Sequence, residues 1–304
     1  MTTPDATATT PDTPPRWSIL YRGPLSSCNY ACDYCPFAKT RNTRAELADD
    51  AARLRRFTDW AATRADRRIG ILFTPWGEAL VRKHYQSEIA RLSHMPHVYR
   101  VAAQTNLSCR LDWLEACHKP SVALWTTYHP TQTARERFLE RCAELDARGV
   151  RYSVGMVGFK EAFEEIEAVR AALPPSVYLW VNAYKRQADY YQPEDIARVE
   201  AVDPLFRWNT RYHPSAGYAC QGGESMFSVD GDGEAYRCHF IKARIGNIYD
   251  EGFDEALRPR PCSNDTCGCH IGYVHMDRLG LYDVFGDGVL ERVPQAWGSP
   301  GALG

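Results

Sequence analysis

The stretch Cys28-Asn29-Tyr30-Ala31-Cys32-Asp33-Tyr34-Cys35 places three cysteines in the spacing C-x3-C-x2-C. It follows a strand predicted over Ser18–Arg22, a short apolar segment rich in β-forming residues. Three thiolates this close together can bind one metal cluster, and on a four-iron cluster they would leave one iron open to an exogenous chelator. The alternative is a zinc site completed by a distant His or Cys, although structural zinc favours paired C-x2-C spacings and four closed ligands.

Cysteine is the unusual feature of the composition, with 11 cysteines among 304 residues. No apolar run approaches the roughly 18 residues that span a bilayer, and residues 1–15 lack the apolar segment and early basic residues of a signal peptide. We therefore expect a disordered leader over 1–15 and a cytoplasmic protein without a membrane partner, whose cysteines serve metal binding or catalysis. The net charge of −2 and the absence of a basic tract argue against a nucleic-acid partner.

Alternating strand-like and helix-like segments up to about residue 205 predict the fold class. Amphipathic helices are predicted between the strands, for example over Arg44–Trp60 and Arg135–Arg148. Parallel strands joined by helical crossovers form one sheet, and six of them fit an incomplete barrel. We therefore expect an α/β fold with a partial (β/α)6 barrel over residues 16–205. The strand candidates after the first are Ile69–Thr74, Val98–Gln104, Val122–Thr127, Tyr152–Val157 and Val177–Val181.

The sequence changes character after about Phe206, where Gly and Pro become frequent and five cysteines follow. The segments Phe227–Val229 and Glu234–Arg237 flank Asp230-Gly231-Asp232-Gly233, which predicts a β-hairpin. We expect residues 206–304 to form a small second domain held together partly by metal. A zinc ribbon using His239 or His270 is the alternative. The cysteines of this region are Cys220, Cys238, Cys262, Cys267 and Cys269.

The first motif, with Tyr34 as the aromatic residue before the last cysteine, resembles the radical S-adenosylmethionine (SAM) superfamily. The resemblance implies a 4Fe–4S cluster held by Cys28, Cys32 and Cys35, whose open iron chelates the methionine part of SAM. It also implies reductive cleavage of SAM to a 5′-deoxyadenosyl radical that abstracts a hydrogen atom from a substrate. A flavodoxin or ferredoxin would serve as electron donor.

Weaker motifs of the superfamily follow in the same chain order. Trp76-Gly77-Glu78 stands where the superfamily often has Gly-Gly-Glu after strand two, and Trp replaces the first Gly. Around strand five, Gly158 and Glu161 match the second half of Gly-x-Ile-x-Gly-x-x-Glu, whereas Val154 and Met156 depart from it. The SAM-contacting residues that the resemblance implies are Tyr34, Trp76, Gly77, Glu78, Gln104, Asn106 and Thr126.

The second cysteine group resembles the SPASM and Twitch extensions of the superfamily, which bind auxiliary 4Fe–4S clusters. The resemblance rests on Gly233-x4-Cys238, with Cys220 upstream. A SPASM domain has seven cysteines for two clusters, so five cysteines fit a Twitch domain with one. Cys220, Cys238, Cys267 and Cys269 are then the implied ligands, and Cys262 is left over. Alternatively, Cys262 is the fourth ligand and Cys267 or Cys269 is spare.

A spare thiol beside a radical site can return a hydrogen atom to the substrate and invert a carbon centre. The overall pattern is similar to the radical SAM neomycin epimerase, which implies Cys262 as the catalytic hydrogen donor. The implied reaction is epimerisation of a sugar carbon of an aminoglycoside-like small molecule in antibiotic biosynthesis. The alternatives are a Twitch-type aminocyclitol dehydrogenase, a peptide-modifying maturase, and a non-enzymatic iron–sulfur or zinc scaffold.

Other side chains have weaker assignments. Acidic residues of the C-terminal half could attract a polycationic substrate, although a solvated turn and helix face also account for them. Helical spacing with leucines predicts Cys117 and Cys142 as core residues, and Cys109 is left open. The acidic residues are Asp230, Asp232, Glu234, Asp250, Glu251 and Asp254, and the candidate pocket residues after strands are Tyr128, His129, Tyr184, Lys185, Tyr190 and Tyr191.

Overall fold

The computed structural model describes residues 16–37 and 40–297. The leader predicted over 1–15 and the end of the predicted C-terminal domain, 298–304, lie outside the described residues. The strands are β1 (Arg16–Arg22), β2 (Arg68–Phe73), β3 (Val98–Thr105), β4 (Val122–Thr127), β5 (Arg151–Gly158), β6 (Leu179–Ala183), β7 (His213–Pro214), β8 (Met226–Asp230), β9 (Glu234–Cys238), β10 (Ile241–Asn247) and β11 (Thr266–Cys267). The helices are α1 (Arg44–Ala62), α2 (Lys83–Ser93), α3 (Arg135–Ala147), α4 (Phe163–Ala172), α5 (Pro193–Glu200), α6 (Phe206–Asn209), α7 (Phe253–Ala256) and α8 (Leu281–Phe285). No helix among these residues has the length and apolar character needed to cross a membrane.

Strands β1 to β6 form a parallel sheet in chain order, which confirms the predicted α/β partial barrel. All six strand candidates overlap observed strands, because each is an apolar segment that can be buried on both faces. Strand β6 starts two residues later than predicted, at Leu179. The residues before it form a turn, in which the N–H of Val177 donates to the carbonyl of Pro174 at 3.0 Å. This is an ordinary length for an N–H···O hydrogen bond.

The predicted hairpin is present as β8 and β9, and it extends the barrel sheet. Strand β8 pairs in parallel with β1, from Ser18 opposite Met226 to Arg22 opposite Asp230. The complete sheet order is β10-β9-β8-β1-β2-β3-β4-β5-β6. The domain boundary predicted near residue 206 stays a prediction, since the strands on both sides of it share one sheet.

Residues after β11 fill the inside of the barrel. Val289 and Leu290 are fully buried among inward-facing side chains of the sheet, such as Leu20 and Leu72. A Cβ built on Gly70 would lie 2.8 Å from Leu290 Cδ1, so the glycine in β2 leaves the space that Leu290 occupies. The segment containing these residues therefore forms the floor of the barrel.

Two charged residues tie this floor to the rest of the molecule. The buried Glu291 carboxylate lies 3.3 Å from the guanidinium of Arg100 and 2.9 Å from that of Arg151, at the amino ends of β3 and β5. The Arg292 guanidinium lies 4.8 Å over the ring of Trp125 and donates to the carbonyls of His270 and Ile271 at 3.1 and 3.2 Å. The floor thereby supports the loop that begins after Cys269.

Replacing Leu290 with Ala is expected to lower the free energy of unfolding by about 2–5 kcal/mol, because it opens a cavity inside the barrel. Urea unfolding followed by circular dichroism measures the change. Leu257→Ala is the matched control, because Leu257 is only partly buried against the core and its loss should cost less. Equal destabilisation of the two variants would contradict the proposed role of Leu290 in the floor.

Candidate cofactor and active site

The loop between β1 and α1 carries the first three cysteines. Its start is fixed by Asn42, whose Oδ1 accepts the backbone N–H groups of Ser26 and Ser27 at 2.9 Å each. Burial raises the pKa of Cys28, and the nearby charges of Glu78, Cys32 and Cys35 add to the increase. The three thiols are therefore close enough to influence one another at the carboxyl end of β1. This donor set fits a cluster with three thiolate ligands.

The loop after β2 docks on the cysteine loop through Gly77. The N–H groups of Gly77 and Glu78 donate to the carbonyls of Leu25 and Ser27, both at 3.1 Å. A Cβ built on Gly77 would lie 2.1 Å from the Ser27 oxygen, so a larger residue requires the backbone to move. The glycine of the Trp76-Gly77-Glu78 motif is thus required by the close approach of two backbones.

Glu78 connects this loop to the end of β3. Its Oε1 accepts from the Thr105 hydroxyl at 2.7 Å and from the Leu80 N–H at 3.1 Å, and its Oε2 accepts from the Asn106 N–H at 2.7 Å. Burial raises the pKa of this carboxyl, whereas these donors oppose the increase. The carboxylate holds the end of β3 next to the cysteine loop, and its predicted contact with SAM stays a prediction.

Asn106 and Gln104 occupy different sides of the end of β3. Asn106 Nδ2 donates to Asn29 Oδ1 at 3.0 Å and lies 3.8 Å from Cys28 Sγ, so it faces the cysteine loop. Gln104 accepts a hydrogen bond from the Thr74 hydroxyl and lines the larger cavity described next. The structure thus places both predicted residues near the first cysteine group.

A cavity of about 600 Å³ opens at the carboxyl ends of the barrel strands, within the size range of small-molecule sites. Three of the predicted SAM contacts, Tyr34, Trp76 and Gln104, line it. The Tyr34 hydroxyl lies 2.6 Å from His129 Nδ1, and burial lowers the pKa of His129 to about 4, so this imidazole is neutral at pH 7. We call this space the barrel cavity.

The remaining predicted SAM contacts do not line the barrel cavity. Gly77, Glu78 and Asn106 lie behind the cysteine loop, and Thr126 is fully buried with its hydroxyl donating to the Ser153 carbonyl at 2.7 Å. Successive side chains of a strand point to opposite faces, and Thr127 supplies the hydroxyl that lines the cavity. The predicted contact of Thr126 with SAM stays a prediction.

A second cavity, of about 420 Å³, is lined by Cys220, Cys238, Cys262, Cys267 and Cys269. The five thiols come together because β9 ends at Cys238, β11 pairs with β7 at Cys267, and the Cys262 N–H donates to the Tyr218 carbonyl at 3.1 Å. No three His, Cys, Asp or Glu side chains in residues 16–37 and 40–297 converge closely enough for a single metal ion. We call this space the thiol cavity, and its thiol lining fits the donor set of an iron–sulfur cluster.

Cys269 differs from the other four thiols because it lines both cavities. Burial raises its pKa, and the positive charges of Lys185 and Arg22 oppose that increase. Cys220, Cys238 and Cys262 influence one another electrostatically, and the charges of Cys269, Cys238 and Cys220 add to the increase that burial causes in the pKa of Cys267. Cys269 therefore lies in the wall between the two cavities.

Several residues of the barrel cavity were not identified from the sequence. Arg22, Trp125, Trp180 and His270 all line it. Arg22 is the last residue of β1, and Trp125 lies on the same face of β4 as Thr127, two residues away. A position at a strand end, or on the inward face of a strand, is the sequence signal that could have identified them. Of the candidate pocket residues, His129, Tyr184 and Lys185 line the cavity, whereas Tyr128, Tyr190 and Tyr191 do not.

The cysteines outside the two groups are buried in the core. Cys109, Cys117 and Cys142 pack with the apolar side chains between the sheet and the helices. This agrees with the interpretation of Cys117 and Cys142 as core residues. Cys109, for which the sequence favours no role, has the same surroundings.

Gly77→Ala is expected to reduce iron bound by the first cysteine group, because the added Cβ would push the Ser27 backbone away. Anaerobic reconstitution followed by iron and sulfide analysis measures the effect in a background with Cys220, Cys238 and Cys267 replaced by Ala. Gly149→Ala is the control, because a Cβ there meets no atom within 4 Å, although its φ of +66° adds local strain. Full iron loading in Gly77→Ala would contradict the proposed steric requirement.

Comparison with known proteins gives matches at the level of structure. No protein-family model and no curated protein sequence matches the chain. The structure of native anSMEcpe with bound AdoMet and Kp18Cys peptide matches with a TM-score of 0.55 and 16% identity, covering 80% of both chains. Native anSMEcpe with bound AdoMet matches with a TM-score of 0.53 and 17% identity, covering 79% of this chain and 80% of that chain.

BtrN in complex with AdoMet and 2-DOIA matches less well, with a TM-score of 0.39 and 16% identity, covering 79% of this chain and 81% of that chain. The anSMEcpe matches have TM-scores above 0.5 and extend over most of both chains. The chain therefore shares the fold of the anSMEcpe structures over most of its length.

Proposed function

We propose that this chain is a radical SAM enzyme that epimerises a carbon centre of a small molecule. The proposal rests on one observation: Cys35 of the first group lines the barrel cavity, the second group lines the thiol cavity, and Cys269 lies in the wall that the cavities share. A radical generated beside the first group and a thiol supplied by the second would then meet in the barrel cavity.

The first cysteine group is suited to binding the cofactors. Cys28, Cys32 and Cys35 would hold a 4Fe–4S cluster with one open iron, and Tyr34 and Trp76 would contact SAM. When bound there, the cluster supplies the electron for cleavage of SAM to a 5′-deoxyadenosyl radical. The aromatic side chains of the barrel cavity, among them Trp125 and Trp180, would limit water around the radical.

The second cysteine group has one thiol more than an auxiliary 4Fe–4S cluster requires. We propose Cys220, Cys238, Cys262 and Cys267 as ligands and Cys269 as the hydrogen donor. This exchanges the roles that the sequence suggested for Cys262 and Cys269. It is supported by the position of Cys262, which lines only the thiol cavity, and by that of Cys269, which also reaches the barrel cavity.

The return of hydrogen is a one-electron reaction that Cys269 can perform. The S–H bond of the thiol breaks, a C–H bond forms at the substrate radical, and a thiyl radical remains. One electron from a flavodoxin or ferredoxin and one proton then restore the thiol. If the hydrogen arrives on the face opposite to the one that lost it, the carbon centre is inverted.

A peptide-modifying maturase is the second candidate, because anSMEcpe has a similar fold and its structures include bound peptides. In that case the substrate would have to reach the barrel cavity as an extended chain. An aminocyclitol dehydrogenase is the third, and it would keep Cys269 as a ligand and return no hydrogen. A scaffold without activity would bind no SAM.

The radical reaction is tested by anaerobic reconstitution with iron, sulfide, dithionite and SAM. The wild-type protein is expected to form 5′-deoxyadenosine, and Cys28→Ala is expected to abolish its formation because only two cluster ligands remain. Chromatography of the acid-quenched mixture measures the product. Cys142→Ala is the control, because Cys142 lies in the core. Absence of 5′-deoxyadenosine from the iron-loaded wild-type protein would refute the proposed activity.

The donor assignment is tested by comparing Cys269→Ala with Cys262→Ala. Cys269→Ala is expected to keep iron from both clusters and SAM cleavage, but to lose incorporation of solvent deuterium into the substrate. Cys262→Ala is expected to lose about four irons per chain, since a four-iron cluster would lose a ligand. The reverse pattern would identify Cys262 as the donor, as the sequence suggested.

A further inference from the structure

The charged side chains of the barrel cavity all have the same sign. Arg22, Lys185 and Arg186 line it, and no Asp or Glu does so among the described residues. The described lining is therefore cationic, and it would repel a polycation.

The three cations retain unused hydrogen-bond donors. Arg22 Nε donates to the Thr74 carbonyl at 3.0 Å, and its guanidinium stacks 3.9 Å from the ring of Trp76. Its terminal nitrogens have no hydrogen-bond partner among the described residues. A stacked guanidinium of this kind presents two parallel donors, a geometry that matches a carboxylate or phosphate.

Lys185 and Arg186 approach from the end of β6. Lys185 Nζ donates to the carbonyl and Oδ1 of Asn209 at 2.5 and 2.9 Å, which fixes the ammonium group and leaves it a third donor. Arg186 donates to the Tyr34 carbonyl at 3.2 Å, across the opening between the β6 loop and the cysteine loop. The cations thus come from the ends of β1 and β6 and line the same cavity, and the charges of both Arg22 and Lys185 act on Cys269.

The acidic residues considered from the sequence lie elsewhere. Asp254 pairs with Arg64 and Arg67 at 2.5 and 2.7 Å, and Asp232 pairs with Arg53. None of the six carboxylates lines the barrel cavity or the thiol cavity. They therefore provide no counter-charge for a polycationic substrate inside the site.

Charge compensation of an auxiliary cluster does not account for all three cations. Arg237 lines the thiol cavity and is buried, and its charge opposes the increase that burial causes in the pKa of Cys220.

Lys185 acts through its charge on Cys269 and Cys267, and Arg22 acts on Cys269. None of Arg22, Lys185 and Arg186 lines the thiol cavity, however, and all three face the barrel cavity. SAM carries a single carboxylate, whereas three separate cations line the cavity, so SAM alone does not account for them either.

We propose that the substrate is an anionic small molecule whose carboxylate or phosphate binds Arg22 and Lys185. This inference rests on the proposed function, because it takes the barrel cavity as the place of reaction. It replaces the polycationic, aminoglycoside-like substrate suggested by the sequence. Trp125, Trp180 and Phe159 supply apolar faces against which the uncharged part of the substrate would pack.

The test measures binding to the reconstituted, SAM-loaded protein by isothermal titration calorimetry. The probes are pyrophosphate, glucose 6-phosphate and the polycation neamine. Both anions are expected to bind with a Kd of about 1 mM or below, and neamine is expected to bind more weakly. Arg22→Gln and Lys185→Gln should each weaken anion binding at least tenfold, whereas Arg22→Lys and Lys185→Arg should restore much of it.

Arg244→Gln is the matched control, because Arg244 pairs with Glu234 on the hairpin and lines neither cavity. Thermal unfolding and SAM affinity are measured for every variant. Loss of SAM affinity in Arg22→Gln or Lys185→Gln would overturn the inference, since the cations would then serve the cofactor. Tighter binding of neamine than of both anions, or equal anion binding by wild type and variants, would also overturn it.

The outcomes separate this inference from the proposed function. Anion binding that depends on Arg22 and Lys185, in a protein that forms no 5′-deoxyadenosine, would support the anionic site and refute the radical activity. Formation of 5′-deoxyadenosine without such anion binding would refute the anionic site alone.

Discussion

Parallel pairing of β8 with β1 determines where the two cysteine groups lie relative to each other. Strand β1 runs directly into the loop that carries Cys28, and the strand after β8 ends at Cys238. Because the hairpin is hydrogen-bonded into the barrel sheet, the thiol cavity is built beside the barrel cavity and shares a wall with it. The position of Cys269, and with it the proposed hydrogen transfer, follows from this pairing.

The features predicted correctly from the sequence were local ones. The strands are apolar segments with clear turn residues around them, so they could be recognised without tertiary information. The inward face of a strand is a tertiary property, so the sequence alone does not show that Thr127 rather than Thr126 lines the cavity. The same limitation applied to Cys262 and Cys269, since spacing along the chain does not reveal which thiol reaches the barrel.

The charge inside a cavity is likewise a property that the sequence alone does not reveal. Counted along the chain, acids and bases nearly cancel, and a net charge of −2 gives no indication of the sign inside a cavity. The fold separates them: the acids of the hairpin region pair with arginines on the outside, while Arg22 and Lys185 face the barrel cavity. The local field at a site therefore depends on this sorting, and net charge is a poor guide to it.

The barrel floor has a consequence for how the protein is made. The inward side chains of β1 to β6 are covered by Leu281, Val289 and Leu290, which a ribosome adds about a hundred residues after β6. A nascent chain that ends before this segment exposes an apolar barrel interior, including Trp125, and lacks Arg292 to support the loop after Cys269. The barrel interior can therefore be closed only after this later segment has been synthesised.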